Sequence, residues 1–301
     1  MKEKALPKKA ILIVNAGSRT GAQLFGDARD KLAAAGIELL DAKRVKRPKR
    51  LGAHVKRAVK DAPMVILGGG DGTLSSNVDS FVGQETVLGV LPFGTANSFA
   101  RTLGLPLDLE GAIKVIADGT PRKIDLGVID GDYFLNNAAL GLAPMVAESV
   151  PTGLKRRLGR LGYLIWAGWS AASFKAFRLN VYDGRERHRF WATEVRIANG
   201  RFHGGVELIE SADLSSGELV VQVVTGRSVM RLGWTYLANA FNAASRQEGV
   251  RELKGRWMRI ETKPAMRVSI DGELGPETPF EASALPNAVL VASPSEARPK
   301  V

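Results

Sequence analysis

No cysteine occurs among the 301 residues. That excludes disulfides and thiolate metal sites, argues against redox chemistry, and is compatible with a reducing cytosol. Histidine is scarce too, and His54, His188 and His203 have no spacing that suggests a metal site or a catalytic triad. No apolar run approaches the roughly 18 residues needed to span a bilayer, so any membrane contact is expected to be peripheral and the chain cytoplasmic. The basic stretch Met1 to Lys9 precedes the apolar residues Ala10 to Val14, but that core is too short for a signal peptide. There is no G-x-x-x-x-G-K-[ST] loop anywhere. Acidic side chains are in deficit, 31 against 42 Lys and Arg, leaving a formal charge of +11. An excess of that size calls for an anionic partner, with acidic lipid and nucleic acid as the two candidates.

The most informative segment is Gly68-Gly69-Gly70-Asp71-Gly72-Thr73, directly after the apolar run Met64 to Leu67. Glycines at a strand end can adopt positive φ and bring backbone N–H groups to phosphate oxygens, while Asp71 can engage magnesium. The plainer reading is a tight turn. About twenty residues on, Val87 to Leu91 runs into Pro92-Phe93-Gly94-Thr95-Ala96-Asn97-Ser98-Phe99-Ala100-Arg101, a second glycine loop at a strand end. In an open parallel sheet both loops would line one nucleotide crevice beyond the strands' carboxyl ends. Asn15 to Arg19 reads as a third phosphate-facing loop after the first strand. Thr73 belongs to the phosphate cradle, Thr95 and Asn97 to the phosphate or ribose contacts. Asn97 can equally cap a helix starting at Ser98. The run at Gly68 lacks the third glycine and acidic ribose ligand of a dinucleotide fingerprint.

The length points to two domains. From Lys8 to about Leu126 strands alternate with helices: strands at Ala10 to Val14, Ile37 to Ala42, Met64 and Val87, helices over Ala22 to Ala35 and Leu51 to Lys60, and a helix capped by Asp108 and Gly119. From Lys123 onward hairpin signals at Asp130-Gly131 and Asp183-Gly184, with strands at Phe190 to Ala198, Glu218 to Val224, Arg256 to Glu261 and Met266 to Ile270, predict an antiparallel β domain. Helical insertions are expected near 155–175 and 229–245, and a frayed tail over 293–301. The boundaries expected are 1–125 for a nucleotide-binding α/β domain and 126–286 for a β-rich domain.

Asp271-Gly272-Glu273 follows the strand ending at Ile270, where a turn would present two carboxylates to the cleft between domains, one to bind and one to act as base. Asp-Gly is also a common surface turn. Basic residues gather at Lys43 to Arg50 and at Lys155-Arg156-Arg157 with Arg160, the second leading into the aromatic stretch Leu161 to Trp169. That combination suits an anionic membrane surface; the plainer reading is a helix packing its aromatics in a core. No nucleic-acid motif is present, so no nucleic-acid partner is expected.

The paired loops resemble the diacylglycerol kinase catalytic family, which includes bacterial lipid kinases and sphingosine kinases. Further matches follow in order: Asn15, Pro121 to Gly127, Phe134 to Asn137, Asn199-Gly200-Arg201, Gly204-Gly205, Asp213 to Gly217, and Asp271-Gly272-Glu273. The resemblance implies a phosphofructokinase-like, Rossmann-like N-terminal α/β domain and an antiparallel β-sandwich C-terminal domain, with a lipid substrate for the second and a return of 287–301 to the first. It implies ATP and Mg2+ as cofactors and a membrane lipid such as diacylglycerol as acceptor. It makes Glu273 the proton acceptor, with Asp271 and Asp71 as catalytic companions and Asn15, Gly68 to Thr73, Gly94, Thr95 and Asn97 as nucleotide ligands. A magnesium loop is implied at Asp213 and Glu218, beside Asp71 as metal ligand. The chain departs from the family at Ser98, at Ser75-Ser76 and at Ser216, where acidic or amide side chains are usual. Asp213 and Glu218 could still hold a metal weakly, while the plainer reading of that loop is a turn. Two alternatives remain: a soluble-substrate kinase of the NAD kinase type, and an inactive binder of anionic lipid or nucleic acid.

Overall fold

The computed structural model describes residues 5–17, 19–142, 174–226 and 249–295. The segments 143–173 and 227–248, which carry the expected helical insertions and the basic aromatic run at 155–169, lie outside the described residues, as does 296–301.

The N-terminal half is built from β1 (Lys9–Asn15), α1 (Arg19–Ala34), β2 (Glu38–Val45), α2 (Leu51–Asp61), β3 (Met64–Gly69), α3 (Asp71–Ser75), β4 (Val87–Pro92), α4 (Ser98–Thr102) and α5 (Leu109–Asp118). The four strands pair in parallel in the order β2-β1-β3-β4. Successive side chains of a strand point to opposite faces, and burial divides accordingly. Leu12, Ile66, Ala28, Leu32, Ile113 and Ile116 pack on the side of α1 and α5. Ile13, Val65, Val55, Val59, Phe81 and Phe99 pack on the side of α2 and α4. Both faces are covered, which explains why β3 and β4 read as unbroken apolar runs. Asp108 caps α5 as its sequence predicts, accepting from the Gly111 N–H at 2.8 Å, an interaction worth about 1 kcal/mol.

Thirteen further strands follow: β5 (Thr120–Ile129), β6 (Asp132–Phe134), β7 (Asn137–Gly141), β8 (Phe177–Tyr182), β9 (Arg187–Ala198), β10 (Phe202–His203), β11 (Val206–Glu207), β12 (Leu219–Thr225), β13 (Val250–Gly255), β14 (Trp257–Lys263), β15 (Arg267–Ile270), β16 (Glu273–Glu277) and β17 (Phe280–Ser293). Pairing among β5 to β16 is antiparallel, and Phe134, Phe177, Val195, Ile197, Val221, Ile260 and Phe280 fill the sandwich core. Asp130 (φ 47°) and Gly131 (φ 98°) form the expected two-residue hairpin between β5 and β6.

The halves are joined by paired strands. β5 runs through the boundary expected at 125, and β17 lies antiparallel to it from Ala282 to Ser293. At one end β17 pairs with β14, and near the other Val291 stands parallel to Leu88 of β4. Asp125 fixes this seam. Its buried carboxylate accepts the Asn287 N–H at 2.8 Å and the Gly217 N–H at 2.6 Å.

Candidate active site

The strand order reverses between β1 and β3, since β2 lies beyond one and β4 beyond the other. In such sheets the crevice outside the carboxyl ends of the two central strands is where ligands bind. Asn15 ends β1 there and Gly70 follows β3. The Asn15 amide donates to the Thr73 hydroxyl at 2.9 Å, and its carbonyl oxygen accepts the Gly17 N–H at 3.0 Å.

The glycines serve contact rather than unusual torsion. Among Gly68, Gly69, Gly70, Gly72 and Gly94 none has positive φ, contrary to the expectation for the first loop. Gly68 and Gly69 are buried within β3. A Cβ on Gly68 would stand 2.8 Å from the Phe93 ring, and one on Gly69 would stand 2.5 Å from Thr73. Gly70 and Gly94 press backbone against backbone: a Cβ on Gly94 would lie 2.5 Å from the Gly70 Cα. The two loops therefore form one surface. Gly94→Ala is allowed by its torsion angles and forbidden by this contact, so it should cost about 1–3 kcal/mol. It should also weaken ATP binding at least tenfold, as read by thermal melting and calorimetric titration.

Asp71 completes the junction. Its two oxygens accept the N–H groups of Ser98 and Phe99, each at 3.0 Å, so it caps α4 from the neighbouring loop. Asn97 neither caps α4 nor faces the crevice. In the left-handed region (φ 48°) it folds back on its own loop. Its amide donates to the carbonyls of Pro92 (3.1 Å) and Gly94 (2.9 Å), and its oxygen accepts the Gly94 N–H at 2.9 Å. Asn97, expected as a nucleotide contact, staples its own loop, while Thr95 is exposed.

Asp271 and Gly272 turn between Ile270 and Glu273 with φ of 46° and 92°. The two carboxylates part company there. Asp271 is enclosed: Oδ2 accepts from the Leu135 N–H (2.7 Å) and the Ser75 hydroxyl (2.8 Å), Oδ1 from the N–H groups of Asn136 (3.1 Å) and Asn137 (3.0 Å). Burial pushes its carboxyl above the usual range, and those four donors oppose the push. With two donors on each oxygen, Asp271 has no capacity left for a metal or a proton in transit. It locks α3 of one half to β7 of the other.

Glu273 is exposed and lines two adjoining depressions. One, of about 370 Å³, is lined by Asn15, Gly70, Gly72, Thr73 and Asn77. The other, of about 330 Å³, is lined by Ser75, Asp79, Asp132, Tyr133 and Leu274. Three of the expected segments thus meet: the end of β1, the first glycine loop and the Asp-Gly-Glu turn. Asn77, Asp79, Asp132 and Tyr133 were not singled out by sequence. Only the last two carried a signal, from the hairpin that holds them.

His203, at the end of β10, presents part of its surface to solvent while the neighbouring elements desolvate its ring. Burial, and next the Arg196 cation, lower its pKa, and Nδ1 lies 2.8 Å from the Asn137 amide. With that amide donating, the neutral ring carries its proton on Nε2. Its loop rests on α4, where the Gly205 N–H donates to the Ser98 hydroxyl at 3.1 Å. Ser98, one of the departures from the family pattern, therefore has a structural partner of its own.

The expected metal loop at Asp213 and Glu218 lies apart from the crevice and is closed by protein groups. Asp213 Oδ1 accepts from the Ser215 N–H at 3.0 Å and from the Arg122 guanidinium at 3.4 Å, and Arg122 also donates to the Ser215 hydroxyl at 2.7 Å. The Arg122 guanidinium thus holds one oxygen of Asp213, the expected metal ligand, in competition with a magnesium ion. Among the described residues no three His, Cys, Asp or Glu side chains form a metal-holding group, and no helix is long and apolar enough to cross a membrane.

Comparison with known proteins adds two family matches. Residues 9–129 match the diacylglycerol kinase catalytic domain, and residues 137–293 match the YegS C-terminal NAD kinase beta sandwich-like domain. The chain is 31% identical over 252 residues to the Chromohalobacter salexigens protein named "Probable lipid kinase YegS-like", covering 81% of this chain and 80% of that one. It is 30% identical over 302 aligned positions to a diacylglycerol kinase of Staphylococcus haemolyticus, covering 96% and 89%. A solved structure of a diacylglycerol kinase from Bacillus anthracis strain Sterne shares the fold with a TM-score of 0.76 at 21% identity, over 97% of this chain and 98% of that one.

Proposed function

The chain belongs to the bacterial diacylglycerol kinase and YegS-like lipid kinase family, and from that membership we propose that it transfers the γ-phosphoryl group of ATP to a hydroxyl of a membrane lipid such as diacylglycerol. The observation that carries this reading is the position of Glu273, shared between the glycine-lined depression and its neighbour.

The first depression suits a triphosphate. Gly70 and Gly72 line it without side chains, and the backbone contact between Gly70 and Gly94 leaves no room for a Cβ on either. Asn77 also lines it, and its buried side-chain oxygen, without a partner among the described residues, could accept from a water beside the phosphates. Lys46, Arg47, Lys49 and Arg50 are exposed beside Pro48 on the rim, where they raise the local concentration of an anion. Asp71 keeps outer lone pairs that could hold magnesium together with the phosphates and water, since that ion commonly takes only one or two carboxylates. Magnesium bound there would neutralise phosphate charge as the γ-phosphoryl group leaves.

The second depression suits the acceptor. Leu274, next to Glu273, is 58% exposed, an apolar surface for a lipid beside the group that takes the proton. The acceptor hydroxyl gives its proton to the Glu273 carboxylate as its oxygen forms the new bond to the γ-phosphorus. The bond from that phosphorus to the β–γ bridging oxygen breaks, and ADP leaves with the electron pair.

The test is radiolabelled ATP with the protein, magnesium and a panel of lipids in mixed micelles. Label in an extracted phospholipid is the expected result. Label in NADP with NAD as acceptor, or no label in any lipid, overturns the proposal.

A further inference from the structure

The sandwich presents an outward face whose composition the transfer reaction does not explain. β8, β9 and β14 lie side by side, with Arg178 opposite both Trp191 and Lys263, Asn180 opposite Arg189 and Glu261, and Tyr182 opposite Arg187 and Arg259. Alternation places these nine side chains on one face, and their inward neighbours Leu179, Val181 and Ile260 are in the core. Neighbours on the face stand roughly 5 Å apart across strands and 7 Å apart along them.

Five of the nine are cations and one is an anion. Glu261 is engaged by Arg259 at 3.1 Å, and Arg259 also meets Glu281 at 3.8 Å. Arg178, Arg187, Arg189 and Lys263 form no ion pair among the described residues, although exposed pairs are common elsewhere in the chain. These four, with Trp191, line a groove of about 430 Å³ that has no acidic residue in its wall. The Arg178 guanidinium lies 5.3 Å from the Trp191 ring centroid, and that ring is 37% exposed. Like charges at such spacing repel one another, and the one carboxylate on the face, Glu261, is already engaged by Arg259. Beyond it, Glu281 on β17 lies opposite Arg259, and Asp183 and Glu186 are in the hairpin turn.

We propose that this face is a docking surface for the anionic headgroups of a phospholipid bilayer. Clustered Arg and Lys beside an interfacial indole match a negatively charged leaflet in charge and in amphipathic character. A second copy of the chain does not fit, because two-fold pairing would set cation against cation. The face is separate from the transfer site. β9 carries it at Arg187 to Trp191 and ends at Ala198, seven residues and roughly 23 Å beyond Trp191, where it pairs with Asn137 beside the Asp271 turn. The surface therefore holds the protein at the membrane and takes no part in the chemistry. The choice of a bilayer over other polyanions rests on the lipid-acceptor reading, and the experiment separates the two.

Native protein is sedimented with phosphatidylcholine vesicles with and without phosphatidylglycerol, at low and high salt. It is compared with the variant Arg178→Gln, Arg187→Gln, Arg189→Gln, Lys263→Gln and with Trp191→Ala. Native protein should favour the anionic vesicles and lose that preference in salt. The fourfold variant should bind them at least tenfold more weakly and Trp191→Ala severalfold more weakly. Both should phosphorylate a short-chain diacylglycerol in solution at the native rate. Variants that bind as native does, or native protein that ignores anionic vesicles, overturn the proposal, as does duplex DNA captured through these four residues in place of vesicles. Vesicle binding lost in the variants, from a protein that phosphorylates no lipid, upholds the docking surface and removes the kinase reading.

Discussion

Glu273→Gln is expected to lower kcat for lipid phosphorylation by about 10²- to 10⁴-fold, the usual contribution of a positioned general base. The side chain is exposed at the start of β16 and makes no hydrogen bond among the described residues, so its amide analogue should fold and melt as the native protein does. KM for ATP should change little, because the proposed phosphate cradle lies among Gly70, Gly72, Thr73 and Asn15, which line the depression without help from the Glu273 carboxyl charge. The loss should therefore fall on the chemical step. Steady-state rates with saturating ATP and a micellar acceptor measure it, and a rate within a few-fold of native would remove Glu273 from the mechanism.

The neighbouring carboxylate should behave in the opposite way. Asp271→Asn keeps the size of the side chain and tolerates the left-handed backbone, but it turns one acceptor oxygen into a donor. Two of the four groups now bonded to Asp271 would then face an N–H: either those of Leu135 and Ser75 or those of Asn136 and Asn137. An enclosed donor left without an acceptor costs about 1–3 kcal/mol, so about 2–5 kcal/mol of stability should be lost. Denaturant unfolding would register it. Because Ser75 belongs to one half and β7 to the other, activity should fall through misplacement of the Glu273 turn, and at low temperature the variant should regain part of it. A stable variant with native melting would show that the four-donor cage matters little.

These two residues also show what could be read from the sequence and what could not. The alternation of strands and helices in the first half, the capped α5 and the Asp-Gly hairpins were legible because each depends on short-range periodicity or turn chemistry. The convergence of Asn15, the first glycine loop and Glu273 was legible through motif order. Which acid of Asp271-Gly272-Glu273 points outward was not, since that depends on N–H groups some 135 residues away. The job of Asn97 was hidden for a related reason: its left-handed backbone turns the amide away from the helix it precedes. The glycines at 68 to 70 were read as sources of torsional freedom, whereas what forbids a side chain there is the presence of Phe93, Thr73 and Gly94 from elsewhere in the chain. Likewise, no spacing rule announces that Arg122 will reach the loop at Asp213, and the basic face of β8, β9 and β14 emerges only once three separate strands are in register.

The run of β17 alongside β5 and β4 bears on how the polypeptide is made. Synthesis proceeds from the N-terminus, and the first four strands emerge early, yet the free edge of β4 has no partner until residue 291 leaves the ribosome. Until then an apolar strand lies open on one side, a feature that invites association with other nascent chains. The N-terminal half thus cannot complete its sheet as an independent unit ahead of the C-terminal half. Both reach their final form together, when the last long strand is laid in place.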